Sequence, residues 1–463
     1  MANKSDSLTI TQFRPLAALM VGYACLMLAG GMNSLIIPIR GGSEGFSSLA
    51  LGLLGTSWAF GFIIGAFYVP SMVLRVGHVR VFSVMASMAT LAVIISLIVI
   101  DPIVWIPMRA AAGFCFAGTA MIVESWVNER TNSQTRGKVF GVYTMVNLSA
   151  TTAGQMLLVT GDTSGPIFFL IAAIFYTIAI IPPALSVRTK PQPLQKASFD
   201  VPALWKNSPS AVVAITLIGI SNSAFGSLGA VFAQRLNLDI ATIATFMSVT
   251  ILAGALVQIP IGYLSDRFNR RIILVILAAG AACIDVFFLR ISQPSTTAML
   301  IAGAVFGGAI YSLPPVVMAH ANDHADKNRY LQTSGGMLLL FGGGSILGPF
   351  FAGLIMLTSD TKGLFIITLW AHLTIIIYVI WRLLQRRDVA REDKSKFSRF
   401  EPGRVVLQPN ALSITSFGLE DDRKRDVPHM PDRILEAFDK PASVDERTEV
   451  HKNLPSDDTH GGW

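Results

Sequence analysis

The chain has 463 residues, 52% of them hydrophobic and only 14% charged, with a mean hydropathy of +0.56. Soluble domains carry charge on roughly a quarter of their residues, so this composition excludes an ordinary water-soluble fold. The formal net charge of +7 comes without a basic stripe interleaved with aromatics, which argues against a nucleic-acid partner.

The first residues, MANKSDSLTITQFR, are polar, and a full-length apolar run follows, so no cleavable signal peptide is read there. Further runs of eighteen or more apolar residues continue to about position 384, each able to cross ~30 Å of hydrocarbon as a helix. They are too long and too little alternating for barrel strands, which leaves helices as the way to satisfy the backbone in lipid. The pattern predicts twelve spans, at roughly 14–37, 47–73, 79–100, 102–126, 137–159, 164–187, 209–233, 240–264, 270–289, 296–320, 331–357 and 361–384.

Lysine and arginine crowd alternate loops, as at Arg75 and Arg80, at Arg130, Arg136 and Lys138, and at Arg267, Arg270 and Arg271. The opposite loops hold only Arg40, Arg235, Arg290 and Lys362. This bias predicts both termini in the cytoplasm of a multi-pass protein of the bacterial inner membrane. Cys25, Cys115 and Cys283 all fall within spans and are too scattered for a disulfide framework or a thiolate metal site.

The polar, proline-containing stretch 188–208 divides the spans into six and six. The expected organisation is a cytoplasmic N-terminus (1–13), an N-terminal six-helix half (14–187), a cytoplasmic linker (188–208), a C-terminal six-helix half (209–384) and a cytoplasmic tail (385–463). The tail is charged and poor in apolar runs, so it reads as mostly disordered, with a short helix at PDRILEAFDK. A shift of about 194 residues lays Asn128-Glu129 on Asn322-Asp323 and Gly113 on Gly307, the mark of tandem halves, between which secondary transporters place their substrate site.

GYLSDRFNRRIILV, residues 262–275, resembles the G-x-L-x-D-R-x-G-R-R signature of the major facilitator superfamily (MFS), with Asn269 replacing the second glycine. Gly262 permits close helix packing, Asp266 can take a salt bridge or cap a helix, and Arg267, Arg270 and Arg271 suit an anionic leaflet. The resemblance implies a cytoplasmic latch there. In the first-half counterpart, PSMVLRVGHVRVF, Leu74 replaces the acid. RAAAGFCFAG, residues 109–118, resembles the superfamily's R-x-x-x-G pattern, whose arginine is linked to proton coupling. RVGHVR, GFCFAG and ESWVNER…TRG…YTMVN together resemble the YcaD-type branch, bacterial inner-membrane transporters. The fold thus implied is all-α and integral to the membrane: twelve transmembrane helices in two pseudo-symmetric halves of six, plus the disordered tail.

Glu124 has two open roles. A partly desolvated carboxylate can carry a proton, or it can anchor the cytoplasmic gate against Arg130 or Arg136, which its place near the interface favours. Glu129 and Asp323 read as helix-end partners of the same kind, and His320 as a weaker proton-coupling or gate candidate whose plainer reading is a solvated interfacial histidine. Asp285 reads as a local partner of Arg290.

Tyr143, Asn147, Thr151 and Gln155 share one helical stripe, which in a membrane faces a cavity or a neighbouring helix. Asn33, Arg109, Asn222 and Gln258 join them as cavity candidates, with SNSAFG in span seven read as a locally broken helix. A polar cavity with one firm cation suits a small neutral, zwitterionic or weakly anionic solute.

No phosphate-binding G-x-x-x-x-G-K-[ST] loop occurs, and the sequence shows no gathered serine–histidine–acid set or metal cluster on the spans. The expectation is therefore no enzyme and no cofactor or metal. The chain reads as a monomeric secondary transporter of a small organic solute, coupled to protons. The alternative is a transporter-like sensor or docking protein signalling through its tail.

Overall fold

The computed structural model describes residues 10–129, 136–185, 200–292, 295–325, 330–359 and 361–385, with the short pieces 407–408 and 411–412. In chain order the helices are α1 (Ile10–Ser43), α2 (Ser48–Val76), α3 (His78–Ile98), α4 (Pro102–Glu129), α5 (Arg136–Leu157), α6 (Ile167–Ile178), α7 (Ile181–Ala184), α8 (Val201–Asn207), α9 (Pro209–Arg235), α10 (Ile240–Arg267), α11 (Arg270–Arg290), α12 (Thr296–Asp323), α13 (Tyr330–Ser359) and α14 (Lys362–Gln385). Leu407–Gln408 pairs antiparallel with Ala411–Leu412. The rest of the tail, including PDRILEAFDK, lies outside the described residues, as does 186–199 of the linker.

Eleven stretches, α6 and α7 counting as one, are long and apolar enough to cross a membrane. The twelfth helix, α5, falls short because Tyr143, Asn147, Thr151 and Gln155 interrupt it, and it lies against α1. The helices alternate in direction. One end of the bundle, here the near end, holds Ile10, the α2–α3 and α10–α11 turns and Gln385. The far end holds the α1–α2, α9–α10 and α13–α14 turns.

Local chemistry sets several ends. Ser47 accepts from Ala50 N, Asp239 from Thr242 N and Ser295 from Ala298 N, each capping a helix start. Hydrogen bonds from Thr242 hold the Asp239 carboxyl below its usual range. Gly77, at φ 87°, makes the α2–α3 corner, a conformation that favours glycine.

The repeat seen in the sequence is a repeat of packing. A Cβ on Gly113 would stand 2.0 Å from the Trp58 carbonyl oxygen, so α4 lies directly on α2. A Cβ on Gly307 would stand 2.0 Å from the Thr250 carbonyl oxygen, so α12 lies on α10 in the same way. Glycine at these two places allows the backbone approach that holds helices together in lipid. Pro349 sits inside α13 without ending it, and its carbonyl faces Gly52 of α2.

Among the described residues, the hydrogen bonds joining the two halves cluster toward the far end. Thr56 Oγ1 donates to Ile346 O (2.9 Å), Ser48 Oγ to Met356 O (3.4 Å) and Arg235 Nη2 to Ser48 Oγ (2.9 Å). Gln234 Nε2 donates to Ile39 O and Ser43 Oγ, both at 3.0 Å. Ser248 Oγ donates to Gln155 Oε1 (3.0 Å), whose amide reaches Ser34 Oγ (3.4 Å).

Candidate functional site

Below that far-end seal lies a cavity of about 130 Å³ between the halves. Each wall is one face of a helix. Arg109, Ala112 and Phe116 line it from α4, Asn147 and Thr151 from α5, and Asn33 and Ser34 from α1. Trp58 of α2 and Tyr176 of α6 complete the N-terminal side. Asn222, Ser223, Gly226 and Ser227 of α9 face them, with Phe341 and Ser345 of α13.

Arg109 is the one charged side chain among the lining residues. It forms no ion pair among the described residues, and its Nε has no hydrogen-bond partner there. The Tyr176 hydroxyl lies beside it and beside Asn33. The Oδ1 atoms of Asn33 and Asn222 are also buried without a partner among the described residues.

Five expected cavity residues, Asn33, Arg109, Asn147, Thr151 and Asn222, line the wall. Three lie elsewhere. Gln258 Nε2 donates to Tyr311 O (2.8 Å) and ties α10 to α12. Tyr143 turns into the N-terminal half and Gln155 joins α1 to α10. The drift of about 40° per four residues explains the split, for it separates Tyr143 from Gln155 by about 120°. The expected break in span seven is absent, since α9 runs unbroken from Pro209 to Arg235. Tyr176 and Ser345 were not anticipated; the only signal was a lone polar side chain in an apolar span.

Glu124 is fully buried. The Tyr143 hydroxyl donates to its Oε1 at 3.1 Å, Tyr143 and Tyr23 share a hydrogen bond of 3.1 Å, and Asn147 Nδ2 donates to the Tyr23 hydroxyl at 2.5 Å. Asn147 is a cavity residue, so an unbroken chain of hydrogen bonds runs from the carboxylate to the cavity wall. The Arg130 and Arg136 side chains, expected partners for Glu124, lie outside the described residues, as does that of Glu129.

Asp285 is also fully buried, which overturns its reading as a surface partner of the exposed Arg290. Its Oδ2 meets His372 Nδ1 at 2.6 Å and its Oδ1 accepts from Thr368 Oγ1 at 2.7 Å. His372 Nε2 lies 2.9 Å from Ser221 Oγ. A serine–histidine–acid set therefore does gather on the spans, contrary to expectation. All three side chains are 0% exposed, and Phe306 packs against the imidazole. No substrate reaches this serine from the cavity. A buried carboxyl–imidazole contact of this kind ties its helices together.

At the near end, Arg270 Nη2 meets Asp266 Oδ1 at 3.3 Å and its Nε meets Asp323 Oδ2 at 3.2 Å, joining α10, α11 and α12. At the corresponding corner of the N-terminal half, among the described residues, His78 Nε2 of α3 bonds Ser125 Oγ of α4 at 3.1 Å. Gly262 packs in the same corner, and Arg267 stacks on Tyr263 at 4.1 Å. Arg271 is buried and its backbone N–H donates to Asn269. His320 is 2% exposed and lies edge-on to His324 at 4.6 Å, so it is not solvated. Among the described residues no group of three or more His, Cys, Asp or Glu gathers to hold a metal.

The sequence profile of the Major Facilitator Superfamily matches residues 19–255 and 211–419. The chain belongs to that superfamily. This family consists of membrane transporters. The chain is 27% identical to the MFS-type transporter YcaD of Salmonella typhimurium over 361 residues, 77% of this chain and 92% of that one. It is 29% identical to the YcaD of an Escherichia coli O139:H28 strain over the same shares. In fold it is similar to the nucleoside transporter NupG, with a TM-score of 0.68 at 14% identity, covering 82% of this chain and all of that one. It is also similar to a bacterial homologue of the lysosomal transporter Spinster in an inward-facing, occupied state, with a TM-score of 0.63 at 15% identity, covering 82% and 97%. These two likenesses speak to the fold.

Proposed function

We propose that this chain carries a small organic solute across the bacterial inner membrane by alternating access, coupled to protons, and works as a monomer. The observation that carries the reading is the cavity between two halves whose mutual hydrogen bonds are gathered at one end. Halves joined on one side of a central site are what one of the two states of an alternating carrier requires. The positive charge of the near-end loops supports reading that end as cytoplasmic and the state as inward-facing.

Proton coupling is supported by the chain Glu124–Tyr143–Tyr23–Asn147. With Glu124 ionised, every donor points toward it: Asn147 to Tyr23, Tyr23 to Tyr143, Tyr143 to Glu124. A proton taken up at Oε1 would reverse the order and call for an acceptor at Asn147, whose amide would then turn over, whereas a proton on the other carboxyl oxygen would leave the chain as it is. The charge of a buried acid would thus be felt at the cavity wall without direct contact. A gating role for Glu124 and a proton-carrying role are then one device.

Inverted vesicles with an acid interior, read with a pH-sensitive dye, test this. A panel of metabolites and toxic organics is added to wild type and to Glu124→Gln. The reading expects a solute that moves protons in wild type and leaves the dye unchanged in Glu124→Gln. A variant that couples as wild type does removes Glu124 from the mechanism.

A further inference from the structure

The cavity has an unusual balance. Its lining carries one cation, Arg109, and no acid. Glu124 stands behind two tyrosines and an asparagine and is no lining residue. Asp285, engaged by His372 and Thr368, is not one either. A guanidinium inside a membrane protein is costly and ordinarily faces a carboxylate. Here it faces the space between the halves with its Nε unpartnered among the described residues. The rest of the polar lining is amides and hydroxyls, those of Ser34, Thr151, Tyr176, Ser223, Ser227 and Ser345 among them.

These features define a complement. The planar guanidinium fork matches a carboxylate with two parallel hydrogen bonds. A single cation is neutralised by one negative charge, so a dianion would bring in a second, uncompensated charge and an ammonium would be repelled. Hydroxyl groups on a wall both donate and accept, and hydroxyls on a solute can complete those bonds. We infer that the cavity is built for a small hydroxylated monocarboxylate, its carboxylate held by Arg109 and its hydroxyls bonded to the serine and threonine hydroxyls of the wall. This assignment rests on the carrier reading and adds the chemical class of the solute. It makes Arg109 a binding residue, whatever part it also plays in proton movement.

Two matched series of probes test it on the purified full chain, by the rise in apparent Tm that a ligand produces. Glycerate, glycerol and 3-aminopropane-1,2-diol share a three-carbon body; gluconate, glucose and glucosamine share a six-carbon one. Glycerol 3-phosphate is added as a different anion. The variants are Arg109→Gln, Arg109→Lys and Gly226→Leu. Gly226 lines the cavity and a Cβ there meets nothing within 4 Å, so leucine fills the space without disturbing a contact at Cβ.

We expect a carboxylate to raise Tm in wild type while its neutral and ammonium partners do not. Affinity should fall by about tenfold or more in Arg109→Gln and less in Arg109→Lys, and vanish in Gly226→Leu. If neutral or cationic probes act as well as carboxylates, and Gly226→Leu still abolishes them, the carrier reading stands and the anion assignment is overturned. A response to the phosphate ester alone overturns the carboxylate. So does a carboxylate effect that survives Gly226→Leu, and so does silence from both series at millimolar concentration.

Discussion

Tyr143 donates a hydrogen bond of 3.1 Å to Glu124 from another helix, and its hydroxyl at the same time contacts that of Tyr23. The phenol is the joint of the relay, because neither Tyr23 nor Asn147 is bonded directly to the carboxylate. Tyr143→Phe removes the joint and keeps the ring, which stacks on Tyr23 at 5.1 Å. The buried carboxylate then loses a donor, at a cost of about 1–3 kcal/mol. We expect a folded protein whose proton-coupled flux in proteoliposomes drops by about tenfold or more, since a positioned proton path is worth at least that. Flux equal to wild type would show that protons do not pass through this phenol.

Asp285 and His372 make a second, independent test. Removing one member of a buried pair strands the other, which costs about 3–5 kcal/mol. Asp285→Ala and His372→Ala should each lower the apparent Tm strongly, and the double variant should lose less than the two losses combined. Additive losses in a double-mutant cycle would mean that the contact of 2.6 Å contributes nothing to stability.

Cavity and lipid face can be separated with glycines. Gly226 and Gly280 both offer open space at Cβ, but only Gly226 lines the cavity. Gly226→Leu should abolish transport and leave the yield of folded protein unchanged, while Gly280→Leu should transport as wild type does. Equal activity in the two variants would put the solute path elsewhere.

The packing repeat makes a symmetric prediction. Gly113→Ala and Gly307→Ala each place a methyl 2.0 Å from a carbonyl oxygen, so a helix must move. Overpacking of this kind costs about 1–3 kcal/mol. Thermal unfolding of the two single variants should show losses of similar size. A loss confined to one of them would show that the halves do not share this packing.

The spans, the halves and Gly113 with Gly307 were legible because hydropathy, charge and spacing all act along the chain. Partners across helices were not. Asp285 has Arg290 five residues on, but five residues turn a helix by about 140° and carry the arginine to another side. His372 lies 87 positions away in sequence, and no periodicity says that α11 packs on α14. Glu124 was visible as an acid in an apolar run, yet its burial depends on Tyr143 of α5. The α5 candidates were read from one stripe, and the stripe's ends drifted off the face that its middle presents.

The most direct test of alternating access is the distance between spin labels at Ile100→Cys and Ser292→Cys, by double electron–electron resonance. These exposed positions lie at the far ends of the two halves, in a background with Cys25, Cys115 and Cys283 replaced. If the halves rock about the cavity, a second, longer distance appears, and its share changes with pH in wild type and is fixed in Glu124→Gln. A single distance at every pH, in a protein shown to transport, would contradict opening of the far end and with it the carrier mechanism proposed for this fold.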